Sequence, residues 1–172
     1  KKEILVKILV TGNLGYIGSV LMTYLESFKG NNVIGLDSGW YKNRKLIDSK
    51  DPSNQIIKDI RDVSAKELEG IDCVIHMASL SNDPLGELDP KITNEINYQS
   101  TVKLAKLSKK CGVNRFVYLS SLSMYGISNK DEELDEYNSD KNPVTEYAKT
   151  KWQAEQEIIL MNSYEFNVVA LR

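Results

Sequence analysis

The amino-acid sequence predicts an α/β fold, a doubly wound parallel sheet, and three observations carry that expectation. Short apolar runs rich in β-branched residues alternate with helical stretches along the whole chain. Several of these runs are apolar at consecutive positions, as strands buried on both faces are. The first run passes directly into a glycine-rich turn that opens the first helix.

Ile4–Val10 is the first strand, interrupted at Lys7 and ended by the glycine turn; the helix Tyr16–Phe28 then lies between Gly15 and Gly30. Val33–Leu36 and Gln55–Ile57 read as the second and third strands, with weaker helical stretches near Arg44–Ile47 and Ser64–Glu69. Cys73–His76 is the fourth strand. Lys91–Lys110 reads as one long helix stopped by Cys111-Gly112. Arg115–Leu119 is the fifth strand, Val144–Met161 a helix beginning beside Pro143, and Asn167–Leu171 the sixth strand. Parallel strands joined by right-handed crossovers give the order 3-2-1-4-5-6. The polar stretch from Asp131 to Asn142 is the longest polar break after the fifth strand and reads as a solvated loop, with a substrate-facing role as the alternative.

A chain of 172 residues, 41% hydrophobic and 27% charged, suits one buried domain spanning 1–172 and is short for two. A formal charge of −2 gives no general attraction to polyphosphate or anionic lipid, so neither nucleic acid nor a membrane is an expected partner. Cys73 and Cys111 form no C-x-x-C pair, and with one histidine in the chain no metal site is expected. A reducing, cytoplasmic setting fits. The first apolar run is broken by Lys7 and reads as a strand, not a leader, and no segment is long enough to span a bilayer.

The turn Thr11-Gly12-Asn13-Leu14-Gly15-Tyr16-Ile17-Gly18 has the spacing G-x-x-G-x-x-G. A pyrophosphate needs backbone N–H groups free of side chains at the positive end of a helix, and glycines there leave the room. Asp37, closing the second strand about 20 residues on, can accept from the ribose hydroxyls of an adenosine. That favours NAD, because a 2′-phosphate would meet a like charge. Lys42, Arg44 and Lys45 keep NADP open, and without the glycine loop Asp37 would read as an ordinary loop acid.

Tyr147 and Lys151 form Y-x-x-x-K and project from one helix face, so an ammonium can favour the phenolate of its neighbour and make it a base. Upstream, Tyr118–Gly126 ends a strand in serine hydroxyls at the carboxyl edge of the sheet, where doubly wound folds bind ligands.

Together Thr11–Gly18, Asp37, Asp59–Asp62, His76–Ser79, Asn97, Ser120–Gly126 and Tyr147–Lys151 resemble the extended short-chain dehydrogenases/reductases. These are the NAD-dependent epimerase/dehydratase group typified by UDP-galactose 4-epimerase. The resemblance covers essentially the whole chain and implies a Rossmann domain from which most of the C-terminal substrate-binding lobe is absent. It implies that Tyr147 is the base, Lys151 its tuner and a nicotinamide-ribose ligand, and Ser121 the hydroxyl beside the reacting oxygen. Gly12, Gly15, Tyr16, Ile17 and Gly18 would hold the pyrophosphate, Asp37 the adenosine ribose, and Asp59 and Ile60 the adenine. Ala78 and Ser79 would line the middle of the cofactor, and Asn97 would reach it from the long helix. His76 reads as a residue capping a core strand. Dehydratases of the group carry an acidic pair directly after the hydroxyl residue; Leu122 and Ser123 stand there. The implied activity is epimerisation of a nucleotide-activated sugar, with a nucleotide-sugar reductase or dehydrogenase, or a non-catalytic NAD-binding module, as alternatives. The helices 91–110 and 144–161 resemble the pair through which family members dimerise.

Overall fold

A computed structural model describes residues 5–42, 54–127 and 133–172. Six parallel strands form one sheet in the order β3-β2-β1-β4-β5-β6, as the alternation implied. They are β1 (Val6–Thr11), β2 (Asn31–Asp37), β3 (Gln55–Ile57), β4 (Cys73–His76), β5 (Arg115–Leu119) and β6 (Asn167–Leu171). The stretch Arg44–Ile47, read as weakly helical, lies outside the described residues, as do Lys45 and the start of the polar break at Asp131.

The helices are α1 (Tyr16–Glu26), α2 (Asp83–Leu88), α3 (Pro90–Asn94), α4 (Ser100–Lys110) and α5 (Glu146–Ile159). The long helix expected over Lys91–Lys110 is not continuous. A π-helical turn, Glu95–Gln99, separates α3 from α4, and such a turn re-aims the side chains around it. It carries Ile96 and Asn97 into the interior. The segment Ser64–Glu69 contains a 3-10 turn, Ala65–Leu68, closed by a reciprocal Ser64–Glu67 capping box. α2 was not expected; Asn82 caps it by accepting from the Leu85 N–H at 2.8 Å, with proline in its first turn.

The sheet separates two apolar layers. On one face Leu9, Val74, Phe116, Tyr118 and Val168 pack under α4 and α5 with Leu104, Ala105, Ala154 and Ile158. On the other, Ile8, Val10 and Val33 pack under α1 through Met22. This second layer thins across the sheet: Val169 and Leu171 of β6, on the α1 side, are 41% and 52% exposed. The carboxyl ends of all six strands meet at one edge, and the chemistry collects there.

Candidate functional site

β1 ends in Thr11, whose backbone leads into Gly12 at φ +74°, a left-handed conformation that glycine adopts without strain. A Cβ on Gly12 would lie 2.7 Å from the Ala78 nitrogen, and one on Gly18 only 2.5 Å from the Gly12 carbonyl oxygen. Close approach of β1, α1 and the segment after β4 therefore requires both glycines. Gly15 is the N-cap of α1 and offers no side chain to its orphan N–H groups, and the first turn of α1 carries no acid. That helix end is left positive and bare, as an anion site must be.

Asn13, 1% exposed, exchanges hydrogen bonds with Gln55 at the start of β3: Asn13 Nδ2 donates to Oε1 at 2.7 Å and Gln55 Nε2 donates to Asn13 Oδ1 at 3.2 Å. This amide pair lies against Gly35, where any Cβ would strike it. Gly35 and Gln55 thus belong to the loop's support, although neither stands in the glycine motif. Asp37 closes β2, 8% exposed, its Oδ2 accepting from the Leu14 N–H at 3.2 Å and its Oδ1 from the Gly39 N–H at 2.8 Å.

A cleft of about 880 Å³ runs along this edge. Gly12, Gly15, Tyr16, Ile17 and Gly18 line one wall, and Asp37, Asp59 and Ile60 line one end together with Lys42. Ala78 and Ser79 form the middle, and Tyr147 and Lys151 line the other end. Asp59 is held below the usual carboxylate range by its hydrogen bond from Arg61.

Thr145 caps α5 by accepting from the Ala148 N–H at 3.1 Å and donates to Asp83 of α2 at 2.7 Å. The cap fixes the start of the helix that carries Tyr147, half-buried, and Lys151, 2% exposed. The Lys151 ammonium donates to the Leu119 carbonyl and sits 4.2 Å from the centre of the Tyr118 ring. Burial pulls its pKa from 10.5 down to about 7, against an opposing push from Glu155. Burial also raises the Tyr118 phenol well above its ordinary value.

Two residues of the expected set stand off the cleft wall. Ser121 caps the 3-10 turn Leu122–Tyr125: its hydroxyl accepts from the Ser123 N–H at 3.1 Å and donates to the Ser123 hydroxyl at 3.0 Å. The preceding Ser120 lines the cleft instead. Asn97 is fully buried; its Oδ1 accepts from the Leu80 N–H at 2.8 Å, and its Nδ2 donates to the Leu80 carbonyl at 3.0 Å and to Thr150 at 3.4 Å. It ties the segment after β4 to α5, a supporting position that the π-turn makes possible.

His76 is fully buried between two threonines. Thr101 donates to the Asn97 carbonyl at 2.8 Å, so its oxygen accepts from His76 Nε2 at 2.8 Å, and His76 Nδ1 accepts from Thr11 at 2.7 Å. Thr11 in turn accepts from the N–H groups of Met77 and Ala78. Burial lowers the imidazole from 6.5 to about 3, so it is neutral and holds the loop in place. Sequence reasoning placed Ser120 in the serine run but gave it no role, and missed Glu155 and Arg172; the three meet beside Lys151, and Arg172 pairs with Glu155 at 2.5 Å and lines the cleft.

The family model described as the NAD dependent epimerase/dehydratase family matches residues 8–172. The dTDP-D-glucose 4,6-dehydratase of Mus musculus is 31% identical over 176 residues, covering 96% of this chain and 49% of that protein. The UDP-glucose 4-epimerase of Lactobacillus helveticus is 32% identical over 154 residues, 87% of this chain and 45% of that protein. Among solved structures, MoeE5 in complex with UDP-glucose and NAD is 29% identical and superposes with a TM-score of 0.81 over 96% of this chain and 53% of that one. The chain spans about half the length of the curated relatives it matches. A glycine loop braced against β4, an acid at the end of β2 and a Tyr/Lys pair at the far end of one cleft agree with a match over almost every residue: the chain belongs to the NAD-dependent epimerase/dehydratase family.

Proposed function

We propose that the protein is an NAD-dependent epimerase of nucleotide-activated sugars. The observation that carries this reading is that Tyr147 and Lys151 open into the same cleft as the bare glycine-loop helix end and Asp37. The residues suit the dinucleotide: side-chain-free N–H groups at the start of α1 for the pyrophosphate, and the Asp37 carboxylate for the adenosine ribose hydroxyls. Bound NAD would supply the group that accepts a hydride from the sugar and returns it.

Tyr147, as the phenolate that the Lys151 ammonium favours, takes the proton of the reacting hydroxyl at its phenolic oxygen and becomes the neutral phenol as the hydride leaves the sugar. Ser121, which stands off the cleft wall, would donate to the same substrate oxygen only once its hydroxyl leaves Ser123. Leu122 is 72% exposed and Ser123 is engaged with Ser121, so this turn offers no carboxyl group to remove water from the sugar. Epimerisation is favoured over dehydration on that ground. The exposed faces of α4 and α5, where Tyr98 donates to Glu157 at 2.8 Å and Lys106 pairs with it at 2.7 Å, form the proposed homodimer seat. Two unpaired cysteines suit a cytoplasmic setting.

The test uses the full-length gene product, UDP-glucose and related UDP-sugars, and Tyr147→Phe. The expected result is interconversion of epimers without net NADH, with turnover reduced at least ~100-fold in the variant and NAD affinity little changed. Release of water from the sugar, or near-normal turnover by Tyr147→Phe, would overturn the reading.

A further inference from the structure

A lysine buried as deeply as Lys151 loses its proton unless a counter-charge is built beside it. Its direct contacts are the Leu119 carbonyl and the face of the Tyr118 ring, which offer partial charges only. Tyr147 stands one turn before it on α5, and His76 on β4, neutral, contributes no charge. One turn further along α5 is Glu155, 3% exposed and on the same face by its spacing of four. This carboxylate is engaged at both oxygens. Arg172, following β6, donates to Oε1 from Nη2 at 2.5 Å and from Nε at 3.0 Å, and Ser120, following β5, donates to Oε2. Arg172 is itself fixed by the Tyr125 hydroxyl at 2.9 Å and the Glu136 carbonyl at 3.0 Å. The carboxylate is therefore anchored by two residues, one following β5 and one following β6, and is held in the interior.

We propose that Glu155, clamped by Arg172 and Ser120, is a positioning residue of this site, supplying the fixed counter-charge that keeps Lys151 an ammonium next to Tyr147. Burial works to strip the proton from Lys151, and the nearby Glu155 charge works to keep it there. Arg172 moderates the effect by sharing the same carboxylate. The inference rests on reading Tyr147 and Lys151 as the reaction centre only for its catalytic meaning; the electrostatic claim stands apart from it.

The experiment follows the Lys151 side chain by NMR titration in the isotope-labelled chain without cofactor or sugar, in wild type, Glu155→Gln, Glu155→Asp and Arg172→Gln. Glu155→Gln should titrate about one pH unit or more below wild type. Glu155→Asp should recover part of that loss, and Arg172→Gln should move the midpoint upward, because the carboxylate is then no longer shared. Opposite shifts in the Glu155→Gln and Arg172→Gln variants are the signature that a merely structural clamp would not produce. A folded Glu155→Gln protein that titrates at the wild-type pH overturns the proposal. If Glu155→Gln does not fold, an unchanged midpoint in Arg172→Gln overturns it equally. NAD affinity against pH, measured on the same proteins, separates the two levels: loss of NAD binding in wild type would defeat the proposed function and leave the titration result intact.

Discussion

Asp37 is held from two sides, by the N–H groups of Leu14 and Gly39, so its carboxylate faces the cleft in a fixed orientation. A free ribose diol can donate to such a group, whereas a 2′-phosphate would be repelled at short range. Wild type should therefore bind NAD more tightly than NADP, and Asp37→Asn should narrow the difference; titration of both cofactors against both proteins checks this. Tighter NADP binding by wild type would mean that Lys42 or its neighbours dominate. Lys151 gives a second prediction, of stability against pH. Its pKa falls from 10.5 to about 7 on folding, so between those values the unfolded chain binds the extra proton. The burial penalty is then full below pH 7 and is relieved as pH rises toward 10.5. Relative to Lys151→Met, wild type should gain stability from pH 7 to pH 10 in denaturant melts; parallel curves would show that the site does not titrate on folding. His76 accounts for an acid limb: with a folded value of about 3 against 6.5, its contribution is present above pH 6.5 and fades as pH falls toward 3.

The loop between β1 and α1 has no slack. A methyl on Gly18 would meet the Gly12 carbonyl and the Asn13 Cα at 2.5 and 2.6 Å, both backbone atoms, so Gly18→Ala must displace the loop or the helix. About 1–3 kcal/mol of stability should be lost, as for overpacking elsewhere, together with at least ~10-fold in NAD affinity by calorimetry. Wild-type affinity in that variant would show that the loop does not hold the cofactor. Strands were read from sequence to within a residue or two because apolar runs and turn residues are local signals. α2 too has a local signal, the cap Asn82 followed by Pro84 in its first turn. The π-turn at Glu95–Gln99 was not legible. Lys91–Lys110 contains no local breaker, and the extra residue per turn is imposed by the buried polar contacts of Asn97 and Thr101, which are tertiary.

At the scale of the whole molecule, sheet order and the position of the cleft followed from alternation and the glycine loop, while the cluster of Ser120, Glu155 and Arg172 did not. Those residues come from α5 and from just past the ends of β5 and β6, and no spacing in the sequence announces their meeting. The proposed pairing of α4 and α5 across a homodimer makes a further prediction. Glu157→Lys sets like charges against Lys106 and removes the Tyr98 bond, so it should shift sedimentation toward monomer; an unchanged sedimentation coefficient would place any dimer elsewhere. The central position of β1 bears on how the chain acquires this shape. β1 can join β2 through the nearby α1, but its other neighbour β4 lies far along the sequence, with Thr11 and His76 separated by 65 residues. Every neighbouring pair in the sheet is parallel, so no strand is completed by a hairpin and each pairing closes a long loop before it is rewarded. Refolding should accordingly run on the millisecond-to-second scale, with amide protection in a pulsed exchange experiment rising first in β1 and β2 and later in β4 through β6.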